Sequence, residues 1–176
     1  SEEDEINNFI SPYAETKKKA EELCKQYHKE HQLNITCLRF FTVYGPRGRP
    51  DMAPYKFTKN ILEGKPITQF GDGSSKRDYT FIDDIKEGIL QALQHPLPFE
   101  IINLGNSKTI SLTEFIHLIE KVTEKKAIIQ QQPTQKGDVP ITYADMTKAK
   151  NLLNFSTSTS VEEGLQKFIE WYKHEQ

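Results

Sequence analysis

Ser11-Pro12-Tyr13-Ala14-Glu15-Thr16-Lys17 opens a run of helix formers lasting to about residue 31. Asn34-Ile35-Thr36-Cys37-Leu38-Arg39-Phe40-Phe41-Thr42-Val43 follows as a β-rich run that breaks at Gly45-Pro46. Ala20, Leu23, Cys24 and Tyr27 recur at i, i+3, i+4 and i+7, the period of a helix with one apolar face. A helix handed directly to a single strand is the repeating unit of an α/β protein with a largely parallel sheet. The same alternation continues outward. A short helix over about 53–62 closes at Gly64, a C-terminal glycine. Residues 67–70 read as a strand ahead of the turn Gly71-Asp72-Gly73. After Tyr79-Thr80-Phe81 a helix starts near Asp83, a candidate N-cap, and runs to about Gln94. A strand over 99–104 ends at Gly105-Asn106. Ser111-Leu112-Thr113-Glu114 and Ser160-Val161-Glu162-Glu163 are capping boxes that start two more helices. Between those helices lie β-like stretches at 127–131 and 141–143. The last helix carries Leu165, Phe168, Ile169 and Tyr172 on one face, ordinary core spacing.

Composition narrows the class. The 176 residues are 36% hydrophobic, with 23 basic and 25 acidic side chains and a net charge of -2. That is enough apolar material for a core, and the charge balance leaves no nucleic-acid footprint. No apolar run approaches the roughly 20 residues of a membrane span, and no secretory leader is visible. Cys24 and Cys37 lack CxxC spacing and read as buried thiols of a cytoplasmic protein. The five histidines show no metal-ligand spacing, so no metal site is expected. Lysine outnumbers arginine 19 to 4, yet Arg39, Arg47 and Arg49 fall close together and Arg77 lies in a Gly/Ser-flanked segment. Guanidinium groups concentrated in this way suit bidentate capture of phosphate or carboxylate; codon bias is the bland alternative.

Tyr13 and Lys17 leave the same helix face. A phenol with a pKa near 10 is a poor base at neutral pH, and an ammonium beside it favours the phenolate. Such a pair can remove a proton from a sugar hydroxyl while hydride leaves the same carbon. Spacing alone does not single it out, because Tyr55 and Lys59 repeat it.

Taken together, Ser11-Pro12-Tyr13-Ala14-x-Thr16-Lys17, the strand that follows and Arg39-Phe40-Phe41-Thr42-Val43-Tyr44-Gly45-Pro46 resemble the extended short-chain dehydrogenase/reductases, and among them the nucleotide-sugar epimerases and dehydratases. The block from Gly45-Pro46-Arg47-Gly48-Arg49-Pro50 to Asp51-Met52-Ala53-Pro54 is similar to the UDP-glucuronate 4-epimerase branch. Gly71-Asp72-Gly73 with Arg77-Asp78-Tyr79-Thr80-Phe81-Ile82-Asp83-Asp84, then Asn103-Leu104-Gly105 and Gly137-Asp138-Val139-Pro140, continue the pattern in order.

The resemblance implies the C-terminal part of a Rossmann-type fold plus a smaller substrate-binding domain. Residues 1–45 would end the NAD-binding domain. Residues 46–176 would mainly form the substrate domain, with about 79–104 returning to the Rossmann sheet. It implies Tyr13 as catalytic base and Lys17 as the lysine that binds the nicotinamide ribose. Phe40 and Phe41 would line the nicotinamide pocket, although two phenylalanines in a strand are as readily plain core. Thr42 and Arg49 would contact the sugar, Arg49 through its carboxylate. Thr68, Gln69 and Phe70 would run beside the uracil, partly through backbone groups, with Arg77 on the diphosphate and Asp138 near the ribose. Gln135 stands where galactose-type relatives carry a second diphosphate arginine.

The implied reaction is interconversion of UDP-glucuronate and UDP-galacturonate through a 4-keto sugar. The implied partners are NAD, a UDP-sugar and a second copy packed through the helix starting at Tyr13. The alternatives are a UDP-glucuronate decarboxylase, a nucleotide-sugar 4,6-dehydratase, or a non-enzymatic UDP-binding or dimerisation module. No Gly-rich dinucleotide turn occurs in the 176 residues, so the chain by itself is expected neither to retain NAD nor to turn over.

Overall fold

A computed structural model describes residues 12–134 and 139–175. The chain begins there with α1 (Pro12–His31), β1 (Ile35–Phe40), β2 (Thr42–Tyr44) and α2 (Ala53–Leu62). It continues through β3 (Pro66–Phe70), β4 (Lys76–Phe81), α3 (Ile82–Gln94), β5 (Phe99–Leu104) and β6 (Thr109–Ser111). The remaining elements are α4 (Leu112–Thr123), β7 (Ile128–Gln132), α5 (Thr147–Leu153) and α6 (Val161–His174).

The β-rich run after α1 is two strands rather than one. β1 pairs in parallel with β5, Ile35 opposite Phe99 through Phe40 opposite Leu104. At Phe41 the backbone N–H donates to the Leu104 carbonyl and the strand ends. β2 then pairs in parallel with β4, which pairs antiparallel with β6. β3 and β7 form a third, parallel pair. Three small sheets therefore replace one largely parallel sheet, although three of the four described strand pairings are parallel. The stretch at 141–143 is not a strand; it makes a single bridge, Ile141 to Lys76.

The helix boundaries follow local chemistry. Ser111 accepts from the Glu114 N–H while the Glu114 carboxylate accepts from the Ser111 N–H, both halves of a capping box. Ser160 accepts from the Glu163 N–H at the start of α6. Gly64 follows α2 at φ 66, where a Cβ would be strained. Asp83 is not an N-cap. The extended residue before α3 is Phe81, so strand passes into helix with no connecting loop and Asp83 sits in the first turn.

Two apolar cores result. One gathers Tyr44, Phe57, Ile61, Ile67, Tyr79, Phe81, Phe115, Ile116, Ile119 and Leu165 between the β2–β4 pair and α2, α4 and α6. The other gathers Ile85, Ala92, Ile102, Leu104, Ala149, Leu153 and Phe155 between β5, α3 and α5. Buried Asp78 ties β4 to two loops, accepting from the N–H groups of Asn106 (2.7 Å), Ser107 (3.0 Å) and Ala144 (3.1 Å). Burial pushes its carboxyl pKa up, and those three N–H groups offset part of the rise. Asp84 accepts from the N–H groups of Ser158 and Thr159 and so anchors the segment ahead of α6. Asp78 and Asp84 are therefore structural pins.

α1 differs from the other long helices in that none of its residues is buried. Leu23 and Tyr27 remain about half exposed; among the described residues α1 lies mainly against the β1–β5 pair. Cys24 and Cys37 are half-buried rather than buried. Desolvation, followed by a hydrogen bond with Cys24, pushes the Cys37 thiol up to about 11.

Candidate functional site

β3 and β4 expose alternate residues, and this sets the lining of a cleft of about 320 Å³. Thr68 and Phe70 face it from β3, and Arg77 and Tyr79 from β4, with Ser75 just ahead. Thr42 enters from β2, and Asp51 to Pro54, Lys56 and Phe57 form the wall at the start of α2. Tyr79 forms the floor, stacked on Phe115 with centroids 4.1 Å apart and planes 6° from parallel. Burial pushes the Tyr79 phenol up to about 12, which makes it packing rather than an acid or base. Lys56 and Arg77 give the cleft two cations. Among the described lining residues its carboxylate is Asp51, which Arg49 already engages. A mixed apolar and cationic lining suits an aromatic ligand carrying an anionic group.

The cleft unites four of the residues singled out from sequence: Thr42, Thr68, Phe70 and Arg77. Gln69 faces the other way from its neighbours in β3 and is buried close to Gly73, so its side chain does not line the cleft. Asp138 and Gln135 lie outside the described residues. Arg49 pairs with Asp51 through two contacts, Nε to Oδ1 at 3.1 Å and Nη2 to Oδ2 at 2.6 Å. These hydrogen bonds and the Asp51 charge raise the Arg49 pKa, and the Tyr13 phenol adds a smaller electrostatic effect. Arg49 itself does not line the cleft; it stands at its edge through Asp51.

Tyr13 and Lys17 lie on one face of α1, the Lys17 Nζ 5.4 Å from the Tyr13 ring centroid. Tyr13 is 70% exposed, and Phe40, at the end of β1, is 50% exposed; Phe41 is half-buried. These four residues do not line the cleft. The second Tyr-x-x-x-Lys pair is packing: the Tyr55 ring lies against Phe168 and Tyr172. Arg39 is also structural, forming a fork to Glu21 of α1 at 2.6 and 2.7 Å that fastens α1 to β1. Sequence reasoning gave no role to Lys56, Asp51, Ser75 or Tyr79. Ser75 and Tyr79 share the alternation of Arg77, which was the available signal. Among the described residues no three histidine, cysteine or acidic side chains gather into a metal site, and no helix is long and apolar enough to cross a membrane.

Residues 1–105 match the model of the NAD dependent epimerase/dehydratase family. A UDP-glucuronate 4-epimerase of Thermodesulfobacterium geofontis is 48% identical over 96% of this chain and 52% of its own length. UDP-glucuronate 4-epimerase 5 of Arabidopsis thaliana is 42% identical over 98% of this chain and 43% of its own. The crystal structure of the UDP-glucuronic acid 4-epimerase of Bacillus cereus, in complex with UDP-glucuronic acid and NAD, superposes with a TM-score of 0.92 at 39% identity. It covers 100% of this chain and 57% of that one. The chain spans about half the length of the curated relatives it matches. With the family model covering more than half of the chain and the fold shared throughout, the chain belongs to the NAD dependent epimerase/dehydratase family.

Proposed function

We propose that this chain is the substrate-binding and proton-transferring part of a UDP-glucuronate 4-epimerase, which inverts C4 to interconvert UDP-glucuronate and UDP-galacturonate. The observation that carries the reading is the placement of Arg49. Its guanidinium is joined to the cleft by Asp51, and the guanidinium itself is exposed to an approaching anion. A carboxylated sugar between a nucleotide-sized cleft and a basic tyrosine meets each of these groups.

The residues at the head of α1 fit NAD. An exposed phenol, an exposed phenylalanine ring and the Lys17 ammonium offer an aromatic surface and a donor for ribose hydroxyls. When bound, NAD supplies reversible acceptance of hydride at C4. Tyr13 as base takes the 4-hydroxyl proton and later returns it to the C4 oxygen on the opposite face, giving the inverted alcohol. Lys17 donates to the nicotinamide ribose hydroxyls. Arg49 holds the carboxylate as a planar fork, with Thr42 beside it, and hinders the alignment that loss of carbon dioxide needs. Arg77 holds the diphosphate. The side chains of Thr68 and Phe70 with the Gln69 backbone flank the uracil, and Asp138 is assigned to the ribose.

The core around Tyr79 and Phe115 is assigned to the substrate domain, and the core around Ile102 and Leu104 to the nucleotide-binding domain. The exposed face of α1, with Leu23 and Tyr27, is assigned to a homodimer contact. The half-buried free thiols suit a cytoplasmic location.

The test joins the N-terminal half of the Thermodesulfobacterium geofontis relative to this chain and follows UDP-glucuronate by proton NMR. The expected product is UDP-galacturonate with the carboxyl carbon retained. A UDP-pentose would indicate a decarboxylase instead, and no reaction would contradict the reading.

A further inference from the structure

Asp51 does more to Arg49 than neutralise it. A guanidinium carries five N–H donors in one plane. The contact with Asp51 is side-on, using Nε at 3.1 Å and Nη2 at 2.6 Å. The two hydrogens of Nη1 and the second hydrogen of Nη2 are not used by this pair. One of the Nη1 hydrogens and that second Nη2 hydrogen form the end-on fork, which can take another carboxylate bidentately. The two side chains are exposed, 75% for Arg49 and 64% for Asp51, so solvent and ligands reach the free edge. Asp51 borders the cleft, which puts the pair at the cleft's edge.

We infer that Asp51 is a positioning residue: it clamps Arg49 side-on and presents the end-on fork to a carboxylate on the sugar, setting a preference for acidic over neutral nucleotide sugars. This rests on the reading above, in which the cleft takes a UDP-sugar. A second carboxylate is accommodated because it and Asp51 occupy different edges of one cation. Without Asp51, a long side chain on an exposed turn must be ordered when the ligand binds, which weakens affinity severalfold.

The test is calorimetric titration of the 176-residue chain with UDP-glucuronate, UDP-glucose and UDP, using the unaltered protein, Arg49→Ala, Asp51→Ala and Asp51→Glu. The unaltered chain is expected to bind UDP-glucuronate more tightly than UDP-glucose, and Arg49→Ala to abolish the difference. Asp51→Ala should shrink it by about fivefold, and Asp51→Glu should restore part of it. A general structural role would move UDP as well, so a parallel loss of all three ligands overturns the inference. A preference that persists or grows in Asp51→Ala also overturns it, the latter by showing that Asp51 competes with the ligand for Arg49. Either result leaves the substrate reading intact if Arg49→Ala still abolishes the preference. An unaltered chain that binds neither sugar nucleotide, or both equally, overturns the acidic-sugar reading and this inference together.

Discussion

Tyr79, on the floor of the cleft, is 3% exposed and stacked on Phe115, whereas Tyr13, at the head of α1, is 70% exposed beside the Lys17 ammonium. The two phenols are built for opposite purposes. Burial pushes Tyr79 up to about 12 and ends its usefulness in proton transfer, while its ring shapes a binding surface. Tyr13 contributes little packing and keeps its hydroxyl available. The elements around them differ in the same way. α4 buries Phe115, Ile116 and Ile119 against the sheet that carries the cleft, and α1 buries none of its residues. The proposed recognition surface is thus embedded in a core, and the proposed proton carrier is displayed on a surface. The Arg49–Asp51 pair stands at the edge of the first.

Three substitutions break that contrast where it is strongest. In the joined enzyme, Tyr13→Phe removes the hydroxyl proposed to carry the proton. Turnover should fall by roughly a thousandfold, the range of general acid–base contributions, with UDP affinity and melting temperature unchanged. Steady-state kinetics beside a thermal melt would check this, and a melting loss would place Tyr13 in the packing instead. Phe115→Ala, in contrast, should cost about 3–5 kcal/mol in urea unfolding, because it empties a fully buried ring site and removes the support of Tyr79. UDP binding should weaken with it. At a protein concentration where the chain is monomeric, Leu23→Ala on the exposed side of α1 should stay within about 0.5 kcal/mol in the same assay. Equal costs at positions 115 and 23 would erase the distinction between the two regions.

Much of the fold was legible in the sequence because its signals are local. The helix from Tyr13 to about residue 31, the Gly64 stop, the strand Phe99–Leu104 and the Ser111–Glu114 box each depend on neighbours a few residues away. The break at Phe41 was not legible. Its neighbours are uniformly β-formers, and the switch is decided by Leu104 and Tyr79, partners far along the chain. α5 escaped notice because it has seven residues and an N-cap, Met146, without a capping side chain. Its start is marked only by Asp145 accepting from the Thr147 N–H. In the site, the two-residue period of β3 already separates Gln69 from Thr68 and Phe70, so its placement could have been anticipated. That Arg39 serves Glu21 rather than an anion could not, since the pairing joins α1 to β1 across 18 residues.

The central claim is that this chain holds a preformed nucleotide cleft distinct from the face bearing Tyr13. Its most direct test is a map of backbone amide shifts as UDP is added to the isotopically labelled 176-residue chain. Shifts concentrated at Thr42, Lys56, Thr68, Phe70, Arg77 and Tyr79, with those of α1 beyond Lys17 unmoved, are the predicted result. Shifts centred on α1, or none at saturating UDP, would contradict it.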